Sequence, residues 1–155
     1  MSADRPDITL VNPPLTQLNT PYPAISYLAR ALRSAGHTVA QRDLGIELAL
    51  RLLSSDGLTE VFTQIESSEA LPEPAWRSLS LAQAYIDTIE PVIAFLQGKD
   101  RGLANRIRNT PFLPRGPRLQ NANLDHFGRM GSHDAARYLA TLYIEDLVDL
   151  ITATI

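Results

Sequence analysis

Two short β-rich runs with one helix between them constrain the fold of this 155-residue chain most. The first run, 8–12, is apolar and stops at Pro13-Pro14, as a buried parallel strand that ends in a loop does. The second run, 38–42, has Asp43 at its carboxyl end. Because strands joined through a helix run parallel with a right-handed crossover, the sequence predicts a β-α-β unit.

The segment between the two runs predicts an amphipathic helix with defined ends. Pro23 suits the first helical turn, and the helix is predicted to run through Ala24–Ala35. Gly36 follows as a C-terminal cap. Apolar residues at spacings of three and four place one stripe on a sheet: Ile25, Leu28, Ala29 and Leu32.

From Gly45 onward the apolar periodicity is helical and predicts no further strand. One helix is predicted to end near 54–57, and the next is centred on 58–65. A linker at 66–74 then leads into a long helix over 75–97, whose apolar residues form a narrow seam.

The second half of the chain is predicted to hold two more helices and a long loop. In the helix over 75–97 a kink is expected near Pro91, because an interior proline removes a backbone hydrogen bond. A short helix at 100–108 precedes a loop rich in proline and glycine at 110–131. The final helix starts near 132, and the chain stops at 152–155 without a cap or polar tail, so we expect a piece of a longer polypeptide.

These patterns predict an α/β fold in one domain over 1–155. A short parallel β-α-β start of a Rossmann-like domain occupies 7–44, and a predominantly helical extension occupies 45–155. A two-stranded sheet leaves backbone edges unpaired, and such edges recruit other strands or are covered by helices. We therefore expect a protein partner or a homo-oligomer.

The composition excludes several kinds of site. The chain contains no cysteine, which rules out disulfides, cysteine-ligated iron–sulfur clusters and thiol nucleophiles. The formal net charge of -3 argues against a surface built for nucleic acid, so no such partner is expected. The sequence shows no apolar leader and no membrane-spanning stretch, so no membrane partner and a cytoplasmic location are expected.

A ligand of the β-α-β unit is expected in the loop that follows the first strand and leads into a helix N-terminus. The alternative is an ordinary βα loop, in which asparagine and threonine make turns. Asp43 has two candidate roles: a hydrogen bond to a ribose or amide group of a ligand or, as is commoner for aspartate there, that of a solvated acid or the N-cap of the next helix. The predicted cofactor-binding residues are the polar members of the loop: Asn12, Thr16, Asn19, Thr20, Tyr22 and Ser26.

No catalytic residue and no metal ligand are predicted. His126 and His133 are separated by a glycine-containing loop that fixes no shared helix face, and no Glu-x-x-His pair accompanies them. His37, the remaining histidine, is expected in a turn.

A group of arginines with interleaved phenylalanines surrounds the predicted long loop. Such a group suits an anion, a nucleic acid or an acidic partner, and a solvated loop is the alternative. Its members are Arg106, Arg108, Arg115, Arg118 and Arg129, with Phe112 and Phe127.

The first third of the chain resembles the start of cobalamin-binding radical-SAM proteins. The resemblance rests on an apolar strand ending in Asn-Pro-Pro at 8–14, a helix start at 22–32, and a Gly-His-x-Val entry into the second strand at 36–39. Asp43-Leu44-Gly45 suits the end of that strand, and the match covers about 7–54.

The resemblance implies a Rossmann-like domain that holds cobalamin at the carboxyl ends of its strands. A barrel with a Cys-x-x-x-Cys-x-x-Cys cluster that cleaves S-adenosylmethionine would follow. The barrel and its cysteines are missing from this chain. The Asp-x-His-x-x-Gly motif, through which many cobalamin proteins supply a lower histidine ligand, is replaced after the first strand by Asn12-Pro13-Pro14.

Two functions follow from these patterns. The first is a cobalamin-binding-like N-terminal domain, or a truncated fragment of a radical-SAM enzyme, that is not catalytic alone. Cobalamin is then the expected cofactor, while the iron–sulfur cluster and S-adenosylmethionine belong only to the absent barrel. The second is a helical interaction or adaptor module that binds a protein partner and keeps the β-α-β unit as support.

Overall fold

The computed structural model describes residues 5–14, 16, 18, 20, 22–67, 79–122 and 131–154. The chain divides into two compact units, unit 1 over Met1–Arg51 and unit 2 over Leu52–Ile155. No helix in these described ranges has the length and apolar character needed to cross a membrane.

Unit 1 contains the predicted β-α-β arrangement. Strand β1 (Ile8–Asn12) is followed by helix α1 (Pro23–Ser34) and strand β2 (Val39–Asp43), and helix α2 (Leu44–Leu52) begins directly after β2. The two strands pair in parallel. The register sets Ile8 opposite Val39 and Asn12 opposite Asp43, so both carboxyl ends lie at one edge of the sheet. The prediction of an α/β fold with a parallel pair is confirmed.

The ends of α1 also agree with the sequence. Pro23 lies at the start of the helix, and Ala35 is its C-cap. Gly36 adopts a φ of 91°, the left-handed conformation that glycine adopts without strain. The backbone amide of His37 donates to the carbonyl of Leu32 at 3.1 Å, so His37 belongs to the turn that closes α1, as predicted.

A hydrogen-bonded pair that the sequence did not reveal fastens the opposite, amino edge of the sheet. The Asp7 carboxylate accepts from the backbone amide and from the hydroxyl of Thr38, both at 2.8 Å. The Asp7 backbone amide donates in turn to the Thr38 hydroxyl at 3.0 Å. These bonds join the residue before β1 to the residue before β2.

The regular secondary structure of unit 2 is helical in its described residues. Its elements are α3 (Ser55–Glu66), α4 (Ala82–Leu96), α5 (Leu103–Asn109), α6 (Pro117–Gln120) and α7 (Ser132–Thr154). They enclose one core whose largest fully buried side chains are Tyr85, Tyr143, Phe95, Leu58, Ile65, Ile89, Leu147 and Val92.

A buried polar contact links two helices through this core. The Tyr143 hydroxyl on α7 donates to the backbone carbonyl of Tyr85 on α4 at 3.1 Å. It also lies 3.0 Å from the Thr88 hydroxyl. Tyr143 and Thr88 are both buried, and these contacts satisfy the hydrogen-bonding capacity of the Tyr143 hydroxyl.

Some predicted boundaries in unit 2 differ from the structure. The helix predicted to end near 54–57 ends at Leu52, and the Ser-Ser-Asp-Gly segment there already starts α3, because the Ser54 hydroxyl accepts from the Gly57 amide at 3.1 Å and caps it. The short helix starts at Leu103 rather than 100, because the Asp100 carboxylate accepts the amides of Gly102 and Leu103 at its start.

The predicted loop at 110–131 is likewise interrupted by α6 (Pro117–Gln120). The helix α4 continues through Pro91. The predicted linker at 66–74 and the beginning of the helix predicted at 75–97 fall largely on 68–78, outside the described residues.

The two units differ in how many of their apolar side chains are buried. In unit 1, Ala29 is the one hydrophobic residue described as buried, whereas the whole continuous core belongs to unit 2. The exposed large hydrophobic residues of unit 1 are Val11, Leu18, Tyr22, Tyr27, Leu28, Ile46, Leu48 and Leu50. A two-stranded sheet with one helix beside it therefore leaves most of its apolar surface uncovered.

Candidate functional site

The carboxyl edge of the sheet brings side chains from the end of β1 and the loop after it together with one from the end of β2. The Asn12 amide nitrogen donates to the Asp43 carboxylate at 2.9 Å and to the Thr16 hydroxyl at 3.1 Å. The Thr16 hydroxyl donates to the carbonyl of Pro13 at 3.3 Å, which folds the loop back on the strand end. We call Asn12, Thr16, Asp43 and the adjacent Gly45 the edge cluster.

Asn12 is the central member of the edge cluster and is 4% exposed. Both hydrogens of its amide nitrogen have acceptors, which leaves its oxygen Oδ1 to be satisfied. That oxygen is buried and has no hydrogen-bond partner among the described residues. The opposite orientation of the amide would set its oxygen against the Asp43 carboxylate, so the hydrogen-bond network fixes Oδ1 as the unpaired acceptor.

Asp43 joins the strand end to the following helix. Its Oδ1 accepts from the backbone amide of Ile46 at 3.0 Å, so Asp43 caps α2, as the commoner of its two predicted roles requires. The hydrogen bond from Asn12, followed by that from the Ile46 amide, lowers the pKa of Asp43 below its ordinary value of 3.8. Asp43 therefore stays ionised at neutral pH.

Gly45 allows the edge cluster to close, a role that the sequence did not indicate. A Cβ at this position would come within 3.2 Å of Asp43 Oδ1 and of Leu18 Cδ2, and within 3.5 Å of the Thr16 hydroxyl. Real Cβ contacts are rarely that short, so a side chain at position 45 would push the loop away from the strand ends.

The other predicted cofactor-binding residues lie farther along the loop and at the start of α1. Thr20 lies in the loop with an exposed side chain. Tyr22 is the N-cap residue of α1 and is 58% exposed, and Ser26 is an exposed residue of the first turns of α1. Asn19 lies outside the described residues.

The described residues contain no group of three or more His, Asp or Glu side chains arranged to hold a metal ion. The His133 ring packs edge-on against Phe95, with 5.2 Å between ring centroids. His126 lies outside the described residues.

The arginines around the predicted loop fall into three environments. Arg118 binds the carboxylates of Glu145 and Asp149 on α7, at 3.0 and 2.6 Å. Arg106 lies over the ring of Phe112, 4.6 Å from its centroid. Arg108 and Arg115 line a common cleft. Arg129 and Phe127 lie outside the described residues.

No protein-family model, curated protein or solved structure matches this chain.

Proposed function

We propose that this chain is the opening part of a cobalamin-binding-type, Rossmann-like domain, with a helical extension and no catalytic activity by itself. The observation that carries the proposal is the Asn12 Oδ1 atom, a buried acceptor without a partner in the described chain, at the carboxyl edge of a parallel sheet. A buried amide oxygen left without a donor costs about 1–3 kcal/mol, which a ligand donor would offset.

The surroundings of Asn12 support a ligand at this edge. Open α/β sheets bind ligands outside the carboxyl ends of their strands. Helix α1 starts at Pro23, and Tyr22 before it makes no side-chain cap bond, so the first-turn amides of α1 favour a polar or anionic group. An amide or hydroxyl of the ligand would donate its hydrogen to Asn12 Oδ1.

The exposed apolar side chains of unit 1 support completion of its sheet by further strands. In the described chain β1 and β2 pair only with each other, and each presents a free edge. Val11 on β1 is 48% exposed, and Tyr27 on α1 is 76% exposed. Strands from a partner protein, a second copy or another part of a longer polypeptide would cover these residues.

The residues of unit 1 fit the amide-rich periphery of a corrinoid but not its metal. Asn12 Oδ1 can accept from a peripheral amide, which is the contact that we assign. His37, the histidine of this unit, lies two residues before the start of β2 and so at the amino edge, opposite Asn12. It is therefore in the wrong place to be a lower axial ligand, and we assign no reaction step to a bound cobalamin.

Radical chemistry is outside the proposed role of this chain. Cleavage of S-adenosylmethionine by the resembled family uses three cysteines on a barrel, and this chain has none. The catalytic part would be supplied by other sequence.

The helical adaptor function receives less support from unit 2. Among its described residues, Val148 is the exposed large hydrophobic side chain, at 47%, and most of the others belong to the core of the unit or pack against it. One exposed valine is ordinary for a folded protein. A protein partner is better placed on unit 1.

The test is a titration of the whole chain with hydroxocobalamin, followed by absorbance and by co-elution in gel filtration. We expect a dissociation constant of about tens of micromolar, because a few hydrogen bonds and partial burial of the ligand supply an affinity of that order. Asn12→Ala should weaken uptake about fivefold, the effect of one lost hydrogen bond.

The matched control is Asn105→Ala, since Asn105 is exposed on α5 in unit 2 and should not affect uptake. A chain that elutes free of corrinoid contradicts cobalamin binding. Uptake that Asn12→Ala leaves unchanged, with circular dichroism showing an intact fold, contradicts the placement of the ligand at the edge cluster.

A further inference from the structure

We propose that unit 2 carries a separate binding site for a small organic anion. The site is a cleft of about 150 Å³ between the end of α5, the loop that follows it, and α6. Arg108 and Arg115 contribute its cationic groups, and we call it the arginine cleft. Its apolar part is formed by Ile107, Leu113 and Leu139, each less than 10% exposed.

Among the described residues, neither arginine of the cleft has an ion-pair partner, unlike Arg118. Arg118 is neutralised by two carboxylates of α7, and Arg106 lies over the Phe112 ring. No described carboxylate pairs with Arg108 or Arg115. An anion bound in the cleft would supply a counter-charge for these guanidinium groups.

The backbone that carries Arg115 is fixed before any ligand binds. The Gln120 side chain donates to the Arg115 carbonyl at 2.8 Å. The Gly116 amide donates to the Pro114 carbonyl at 3.1 Å. A preorganised loop lowers the entropy cost of binding, because the ligand does not have to order it.

The shape and chemistry of the cleft define the ligand class. A cavity of this volume admits a single six-membered ring. Guanidinium groups recognise carboxylates and phosphates through paired N–H donors. The arginine cleft should therefore take an aromatic or branched short-chain carboxylate or phosphate monoester, with its apolar part on Ile107 and Leu139. This site lies in unit 2 and is independent of the edge cluster.

The test uses NMR amide-shift titrations of the whole chain with four probes: benzoate, phenyl phosphate, acetate and benzyl alcohol. Benzoate or phenyl phosphate should bind and shift amides around 107–122, and comparison of the two identifies the preferred anion. Acetate lacks the ring and benzyl alcohol lacks the charge, so both should bind at least about fivefold more weakly. Added salt should weaken the binding of the anions, because both arginines are exposed.

Variants separate the charge from the shape of the cleft. Arg108→Gln and Arg115→Gln should each weaken benzoate binding about fivefold, whereas Arg137→Gln, at an exposed position of α7, should leave it unchanged. Ala122→Leu keeps both charges and should block the ring by filling the cleft.

Three outcomes overturn the proposal. One is the absence of saturable shifts with both ring anions. Another is equal binding of benzoate and benzyl alcohol, which removes the role of the arginines. The third is a result showing that the ring does not enter the cleft. Either equal binding of benzoate and acetate or unchanged benzoate binding in Ala122→Leu would show this.

Discussion

The carboxylate of Asp146 accepts a hydrogen bond from the backbone amide of Arg118 at 2.9 Å. Its second oxygen accepts from the amide of Leu119 at 3.4 Å. Asp146 lies on α7, and the two amides belong to the first turn of α6. Gly116, the N-cap residue of α6, has no side chain to cap these amides, so a carboxylate from another helix performs the capping.

Asp146→Ala should destabilise unit 2 by about 1–3 kcal/mol, because two amides at the start of α6 lose a partly buried acceptor. Urea denaturation at pH 7 measures the loss. Glu60→Ala, at an exposed position of α3, is the control and should change stability by less than about 0.5 kcal/mol. Equal losses in the two variants would contradict the capping role.

Gly116→Ala should destabilise the same region for a steric reason. A Cβ at position 116 would overlap Asp146 Oδ2 and the Tyr85 hydroxyl, both of which are buried. The φ of Gly116 is -68°, so the expected loss of about 1–3 kcal/mol comes from crowding rather than from backbone strain. Gly131→Ala is the control, since its Cβ would meet one atom, Asp134 Oδ2, at 3.8 Å. A Gly116→Ala protein as stable as Gly131→Ala would rule out the crowding.

Local signals in the sequence predict unit 1 well. A short apolar run that stops at two prolines, a proline at a helix start and a glycine at its end specify β1 and the limits of α1 without help from distant residues. The sequence singles out Asn12, Thr16 and Asp43, but the bond between Asn12 and Asp43 depends on strand register, which becomes known only once the strands pair.

The contacts that the sequence did not reveal in unit 2 are long-range. Helix α6 has four residues, too few to show a helical period, and its cap comes from Asp146 on a different helix. The sequence predicts the helix end near Ser54 but not that Ser54 caps α3, because serine, aspartate and glycine are typical both of loops and of helix starts. In the sequence, Arg108 and Arg115 cannot be told apart from Arg118. The structure distinguishes them, because Arg118 pairs with carboxylates of α7.

The stability contribution of Asp146 should fall as pH rises. Burial raises the pKa of Asp146 above 3.8, against the opposing effect of the amide hydrogen bonds from Arg118 and Leu119. An acid that binds its proton more tightly in the folded state contributes most below its unfolded pKa and loses that contribution as pH rises through its folded pKa.

Urea denaturation of the wild type and of Asp146→Asn between pH 4 and pH 7 measures this dependence. The variant cannot titrate at position 146, so the difference in unfolding free energy isolates that group. We expect the wild type to lose stability relative to the variant as pH rises. A difference that stays constant, or that grows with pH, would contradict a raised pKa.

The opposite pH dependence is expected at the edge cluster of unit 1. The hydrogen bond from Asn12 is the largest cause of the lowered pKa of Asp43, and the Ile46 amide is the second. A carboxylate with a lowered folded pKa contributes stability that is present above 3.8 and is lost as pH falls through the folded value. Asn12→Ala should therefore raise the pKa of Asp43 part of the way back, with the Ile46 amide keeping it below 3.8.

A carboxyl ¹³C NMR titration of the wild type and of Asn12→Ala measures the change. Asp7 is an internal control, because Thr38 lowers its pKa at the opposite edge of the sheet, where Asn12 makes no contact. An Asp43 midpoint that does not move would show that the Asn12 bond is not formed in solution. If the Asp7 midpoint rises together with that of Asp43, unit 1 has unfolded in the variant, and Asn12 is then required for the sheet itself.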